Sequence, residues 1–108
     1  MEFEWNKTKN AINKTKHGVA FEEAKTVFYD PDALVIADIK HSSEEDRFII
    51  LGMSNLLRTL VVCHCYREDN EVIRIISARK ANSEERKQYQ KILETTHQNY
   101  ATVSTSCR

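Results

Sequence analysis

With two glycines in 108 residues, the chain has no glycine-rich loop to cradle a nucleotide phosphate. Ser77 lacks the Gly-x-Ser-x-Gly elbow of a hydrolase nucleophile, which sets that chemistry aside. Three cysteines are an odd number without framework spacing, so a disulfide scaffold is not expected and a reducing cytoplasm is. Cys63-His64-Cys65 resembles a metal cluster, but alternate residues of a strand point to opposite faces and His64 diverges from both sulfurs. No Cys-x-x-Cys or His-x-x-x-His partner occurs elsewhere, so packed thiols are expected, with no metal and no cofactor. No apolar run approaches the roughly 18 residues of a membrane helix, and the opening Met1–Trp5 lacks the basic stretch and apolar core of a secretion signal. Repeats, low-complexity tracts and linkers are missing too. One domain is expected over 1–98, with 99–108 as a frayed tail.

Net charge is also lacking, with 16 basic and 16 acidic residues, yet the two signs are segregated along the chain. Residues 22–46 hold eight acids against two bases, and residues 47–91 hold nine bases against five acids. A bipolar surface follows if the fold preserves this order, with one side for an anion and one for a basic partner.

Periodicity gives the elements. A short alternating run, Glu2-Phe3-Glu4-Trp5, leads to Asn6 as an N-cap and a polar helix over 7–16 that Gly18 stops. A second helix over 21–29 carries Phe21, Ala24, Val27 and Phe28 on one stripe and ends at Asp30-Pro31-Asp32. The period then changes to two, predicting strands at 33–38, 47–53, 58–66 and 71–77 joined by short loops that favour antiparallel pairing. Asn82 and Glu85 form a capping box for a helix to about 97, with Tyr89, Ile92, Leu93 and Thr96 toward the sheet. The expected class is α+β: a mainly four-stranded antiparallel sheet with two N-terminal helices and one C-terminal helix.

The run Ile73-Arg74-Ile75-Ile76-Ser77-Ala78-Arg79-Lys80-Ala81 ends an apolar strand in fixed cations. An arginine there needs an anionic partner or a route to water; its rigid fork of donors suits phosphate or carboxylate, and a salt-bridged structural role is the alternative. A two-residue hairpin at Glu68-Asp69 would pair His64 with Ile73 and Leu60 with Ser77. Arg58, His64, Tyr66, Ser77 and Arg79 would then share one face, opposite Cys63, Cys65 and Arg74. His17, just before Gly18, suits either the helix C-terminus or a general acid. His41, in the polar loop Lys40–Asp46, is expected to be solvated.

A site of Arg, Lys, His, Tyr and Glu suffices for RNA cleavage, in which the 2′-hydroxyl attacks its own phosphate. Arg67 and Arg79 could clamp the phosphate, Glu68 act as base, and His17, His64 or Tyr66 supply a proton. Arg47, Arg74, Lys80 and His64 would add to RNA binding.

Five segments in order, Phe3–Asn6, Lys16–Ala24, Val27–Pro31, Glu45–Gly52 and Ile73–Ala81, resemble the BrnT family of toxins, a likeness covering residues 2–91. The resemblance implies a RelE/ParE-like fold and a type II toxin-antitoxin module whose ribonuclease arrests translation. It also implies neutralisation by a BrnA-like antitoxin, in a heterotetramer built on a dimer; since the chain shows no recognisable DNA-reading motif, DNA is expected to be bound only through that complex. In the family's pattern Arg79 is the arginine of Ser-x-Arg, and Arg67 and Glu68 match the Arg-Glu pair after the third strand. Asn6, where an Asp usually stands, and the strand cysteines depart from the pattern. A gyrase-directed toxin and a non-catalytic interaction module are the competing readings.

Overall fold

In the computed structural model, which describes the backbone of residues 1–106 and side chains to Thr96, the chain folds as three α-helices and a five-stranded sheet. Strand β1 (Glu2–Glu4) precedes α1 (Lys7–His17), a short α2 (Phe21–Ala24) and a 3-10 turn, Lys25–Tyr29. Strands β2 (Leu34–Ala37), β3 (Phe48–Met53), β4 (Thr59–Arg67) and β5 (Val72–Lys80) form an antiparallel meander, and α3 (Ser83–Ser106) closes the chain. The α+β class stands, but the sheet is not four-stranded. β1 adds a fifth strand, parallel to β5, in the order β1-β5-β4-β3-β2. The expected tail 99–108 belongs to α3 in its backbone as far as Ser106, and residues 107–108 lie outside the described residues.

Local chemistry sets the helix ends. The Asn6 side chain accepts from the Lys9 amide at 3.0 Å, and Gly18, at φ 69°, takes the left-handed C-cap a side chain would strain. The Asn82–Glu85 capping box is reciprocal, each side chain accepting from the other's amide at 2.8 Å.

The two faces of the sheet carry separate cores. Val19, Phe21, Ala24 and Val27, from α1 to the 3-10 turn, pack on Ile50, Leu60, Val62, Ile75 and Ala78. On the other face Tyr89 and Leu93 of α3 cover Leu51 and Val61. Gly52 lets β3 pass beneath the first layer, since a Cβ there would lie 2.9 Å from both Val27 Cγ1 and Ala33 Cβ. Buried Glu23 pairs with half-buried Arg58; Arg58 also donates to the Gly18 carbonyl and Ser54 to Glu23, tying α2 to the β3–β4 turn.

The β4–β5 register corrects the expected hairpin. Glu68, Asp69 and Asn70 all have left-handed backbone (φ 52°, 56° and 70°), giving a longer turn after which Arg67 faces Val72. Farther along, His64 pairs with Ile75 while Cys63 pairs with Ser77, so Ile76 is a bulge without a partner. One extra residue reverses the alternation of everything beyond it. Cys63 therefore shares a face with Ser77 and Arg79, whereas His64 and Tyr66 lie on the opposite face, against the helical layer.

Candidate active site

β1 pairs with β5 only through Glu2–Glu4, and the edge of β5 beyond Arg74 is left to α1. Asn13 fills that edge: its amide donates to the Ala78 and Val19 carbonyls at 2.8 Å, and its oxygen accepts from the Ala78 amide at 3.1 Å. A side-chain amide thus does the work of a neighbouring strand. His17 lies one helical turn beyond Asn13 on the same side of α1, which carries its ring to the β5 edge beside Ser77 and Arg79.

Opposite stands the β2–β3 connection, a polar run that folds into a fixed loop. The Asp38 amide donates to the Arg47 carbonyl at 2.8 Å, closing it. Ser42 Oγ donates to the Asp38 carbonyl at 2.6 Å and accepts from the Arg47 amide at 3.0 Å, bracing it across the middle. Between loop and β5 lies a groove of about 270 Å³ lined by His17, Asp38, His41, Arg47, Ser77 and Arg79, floored by Ile49, Val61 and Cys63.

Two cations of the groove differ in how they are held. Both terminal nitrogens of Arg79 donate to the Glu85 carboxylate, at 2.7 and 2.8 Å, so the capping-box glutamate also aims this guanidinium. That pairing holds the Glu85 carboxyl below the ordinary range and raises Arg79. A third Arg79 donor reaches the Lys80 carbonyl at 3.4 Å, which leaves two of its five donors without a hydrogen-bond partner among the described residues. Arg47 is tied more loosely, with Glu45 3.7 Å from its Nη2 and its buried Nε without a hydrogen-bond partner among the described residues. The Cys63 thiol is pushed up by burial and by the charge of Asp38, so it stays protonated at neutral pH.

The other expected site residues are distributed elsewhere. Arg67 and Glu68 sit at the far end of β5's partner strand; Val72, opposite Arg67, is seven residues before Arg79, or about 23 Å at the usual strand rise. Arg67 lies 3.6 Å from Glu4, so Arg67 and Arg79 each face a carboxylate of their own and do not form one clamp. His64 is corrected from RNA binding and from proton supply to the core: it is fully buried, its Nδ1 3.2 Å from the Val62 carbonyl and its Nε2 3.3 Å from the Tyr66 hydroxyl. Phe28 and Phe48 complete this aromatic cluster, and burial pushes the imidazole down and the Tyr66 phenol up. Arg74 shares the groove's face of the sheet but pairs with Cys65, beyond the bulge. Lys80 pairs with Leu60 and lies outside the groove lining. Of the nine expected site residues, His17, Arg47 and Arg79 meet in the groove. Asp38 and His41 join them unforeseen; the signal available was their spacing of three in a polar loop, one helical turn.

Among the described residues, no three His, Cys, Asp or Glu side chains come together as metal ligands would, and no helix is long and apolar enough to cross a membrane. The fold and its groove define a small α+β domain in which two arginines, two histidines and Asp38 line one groove. Residues 5–85 match the family of the ribonuclease toxin, BrnT, of type II toxin-antitoxin systems, and the chain belongs to that family. An antitoxin partner follows from this membership. The chain is also similar to the 1.1 Å crystal structure of the Brucella abortus ribonuclease toxin, BrnT, at 25% identity and a TM-score of 0.59, over 77% of this chain and 99% of that one. No curated protein matches the sequence.

Proposed function

We propose that this chain cleaves RNA without a metal, in the groove between the Asp38–Arg47 loop and β5. The convergence of Arg47, Arg79 and His17, from three elements, on one groove carries the reading. A phosphodiester placed between the two guanidinium groups would meet fixed donors where charge gathers as the 2′-oxygen attacks phosphorus. A base removes the 2′-hydroxyl proton, the bond to the 5′-oxygen breaks, and an acid protonates that oxygen, leaving a 2′,3′-cyclic phosphate and a 5′-hydroxyl. His17, on the β5 side, is positioned to exchange one of these protons.

Family membership supports the biological setting: growth arrest through loss of translatable RNA, and neutralisation by a BrnA-like antitoxin in a heterotetramer built on a dimer. DNA contact then belongs to the antitoxin, the compartment is the cytoplasm, and the scaffold is of the RelE/ParE type. The bidentate grip of Glu85 on Arg79 favours a second reading, a non-catalytic module in which the pair is structural. One experiment separates them. Purified protein incubated with naked RNA in EDTA should yield fragments ending in 2′,3′-cyclic phosphate, and Arg79→Ala and Arg47→Ala should each lose about 10²–10³-fold in rate. Cleavage unchanged in both variants would sink this site, and uncut RNA would favour the module.

A further inference from the structure

We infer that His41, oriented by Asp38, is the second proton-transferring residue of the groove, a role that rests on the RNA-cleavage reading above. The 3-10 turn Ile39–His41 follows Asp38 directly, and its three-residue repeat brings the ring back over the carboxylate. His41 Nδ1 lies 2.9 Å from one Asp38 oxygen and 3.1 Å from the other. The two side chains differ in exposure, 66% for His41 against 12% for Asp38, so a largely buried carboxylate holds a ring that projects outward. An exposed pair of this kind contributes little to stability, about 0–1 kcal/mol. What it does fix is the tautomer: with Nδ1–H donating to Asp38, the lone pair sits on Nε2, the nitrogen turned away from the carboxylate.

Hydrogen bonds support this aim: the Asp38–Arg47 backbone bond closes the loop, and Ser42 braces its middle. The same bonds set His41 beside Arg47, so a phosphate held by Arg47 presents its ribose to the ring. His17 approaches from the β5 side of the groove. In-line cleavage needs a base at the 2′-oxygen and an acid at the 5′-oxygen, on opposite sides of phosphorus, and two imidazoles across one groove supply that pair. Neutral His41 Nε2 takes the 2′-hydroxyl proton, Asp38 steadies the imidazolium so formed, and His17 as imidazolium releases its proton to the leaving 5′-oxygen. The groups facing His41 are Asp38 beneath it, Lys40, Glu44, Glu45 and Arg47 in its own loop, and Cys63, His17 and Arg79 around the groove.

The test is the pH–rate profile of naked-RNA cleavage in EDTA for the wild-type chain, His41→Ala, His17→Ala and Asp38→Asn, with each fold checked by its melting temperature. Wild type should give a bell. His41→Ala should lose about 10²–10⁴-fold together with one limb of the bell, added imidazole should restore part of the rate, and His17→Ala should lose the other limb. Asp38→Asn, which keeps the ring but releases its tautomer, should slow cleavage without abolishing it. A His41→Ala rate and profile equal to wild type, while Arg79→Ala is inactive, would overturn this inference and leave RNA cleavage standing. A wild-type chain that leaves RNA intact would overturn both.

Discussion

Glu85 accepts from the Asn82 amide and from both terminal nitrogens of Arg79, so a single carboxylate caps α3 and aims a guanidinium into the groove. Glu85→Ala should therefore lower stability by about 1 kcal/mol, the usual cost of a lost cap, and slow RNA cleavage by up to about 10²-fold through loss of aim. Urea melts and initial rates on one preparation check both, and unchanged cleavage would mean Arg79 needs no support. His64 carries the second prediction at this scale. Burial depresses its imidazole in the fold, whereas the unfolded chain takes up a proton near the ordinary value of about 6.5. Below that pH the unfolded state binds more protons, so stability is full above about 6.5 and falls with a slope of at most about 1.4 kcal/mol per pH unit until the folded ring itself protonates. His64→Phe should flatten this part of a stability–pH curve; an unchanged slope would assign it to another group.

Among the elements, β5 decides the site. Its alternation was legible, with Ile73 and Ile75 both buried, but Ala78 joins Ile75 in the first core three residues later. The adjacent Ile75-Ile76 pair is the trace of that slip. A bulge is chosen by what packs on both faces at once, so a two-residue turn at Glu68-Asp69 and an uninterrupted ladder satisfied the local pattern equally well. The edge of β5 depends in turn on Asn13, which a helix-periodicity reading treats as one more polar position. Replacing Asn13 by Leu should strand the Ala78 amide and carbonyl, destabilise the fold by about 1–3 kcal/mol, and lower RNA cleavage further by shifting His17. Denaturation midpoints with cleavage rates measured under folding conditions separate the two effects. A variant as stable as wild type would show that the edge needs no partner.

Across the whole molecule, the charge segregation of the sequence survives only in part. The acidic stretch contributes Glu23 to an internal ion pair with Arg58 and Asp38 to the groove, and Glu85 takes up Arg79. Exposed Lys80, Lys87 and Lys91 and the acids Glu22, Glu44 and Asp46 remain at the surface for a partner's field to act on. Association with the antitoxin should accordingly slow as salt is raised from low to physiological strength and beyond. An on-rate independent of salt would exclude steering by these groups. By itself the sequence determined the α+β class, the helix caps at Asn6, Gly18 and Asn82, the starts of the strands to within a residue, and the family, because each of these is written within a few neighbouring residues or in their order. Only the tertiary structure decided that β1 runs parallel to β5, that Arg67 and Arg79 stand far apart, that His64 is core, and that Asp38 and His41 meet Arg47, Arg79 and His17. Those outcomes depend on strand register, where a shift of one residue exchanges the two faces of a sheet, and short-range preferences are nearly indifferent to such a shift.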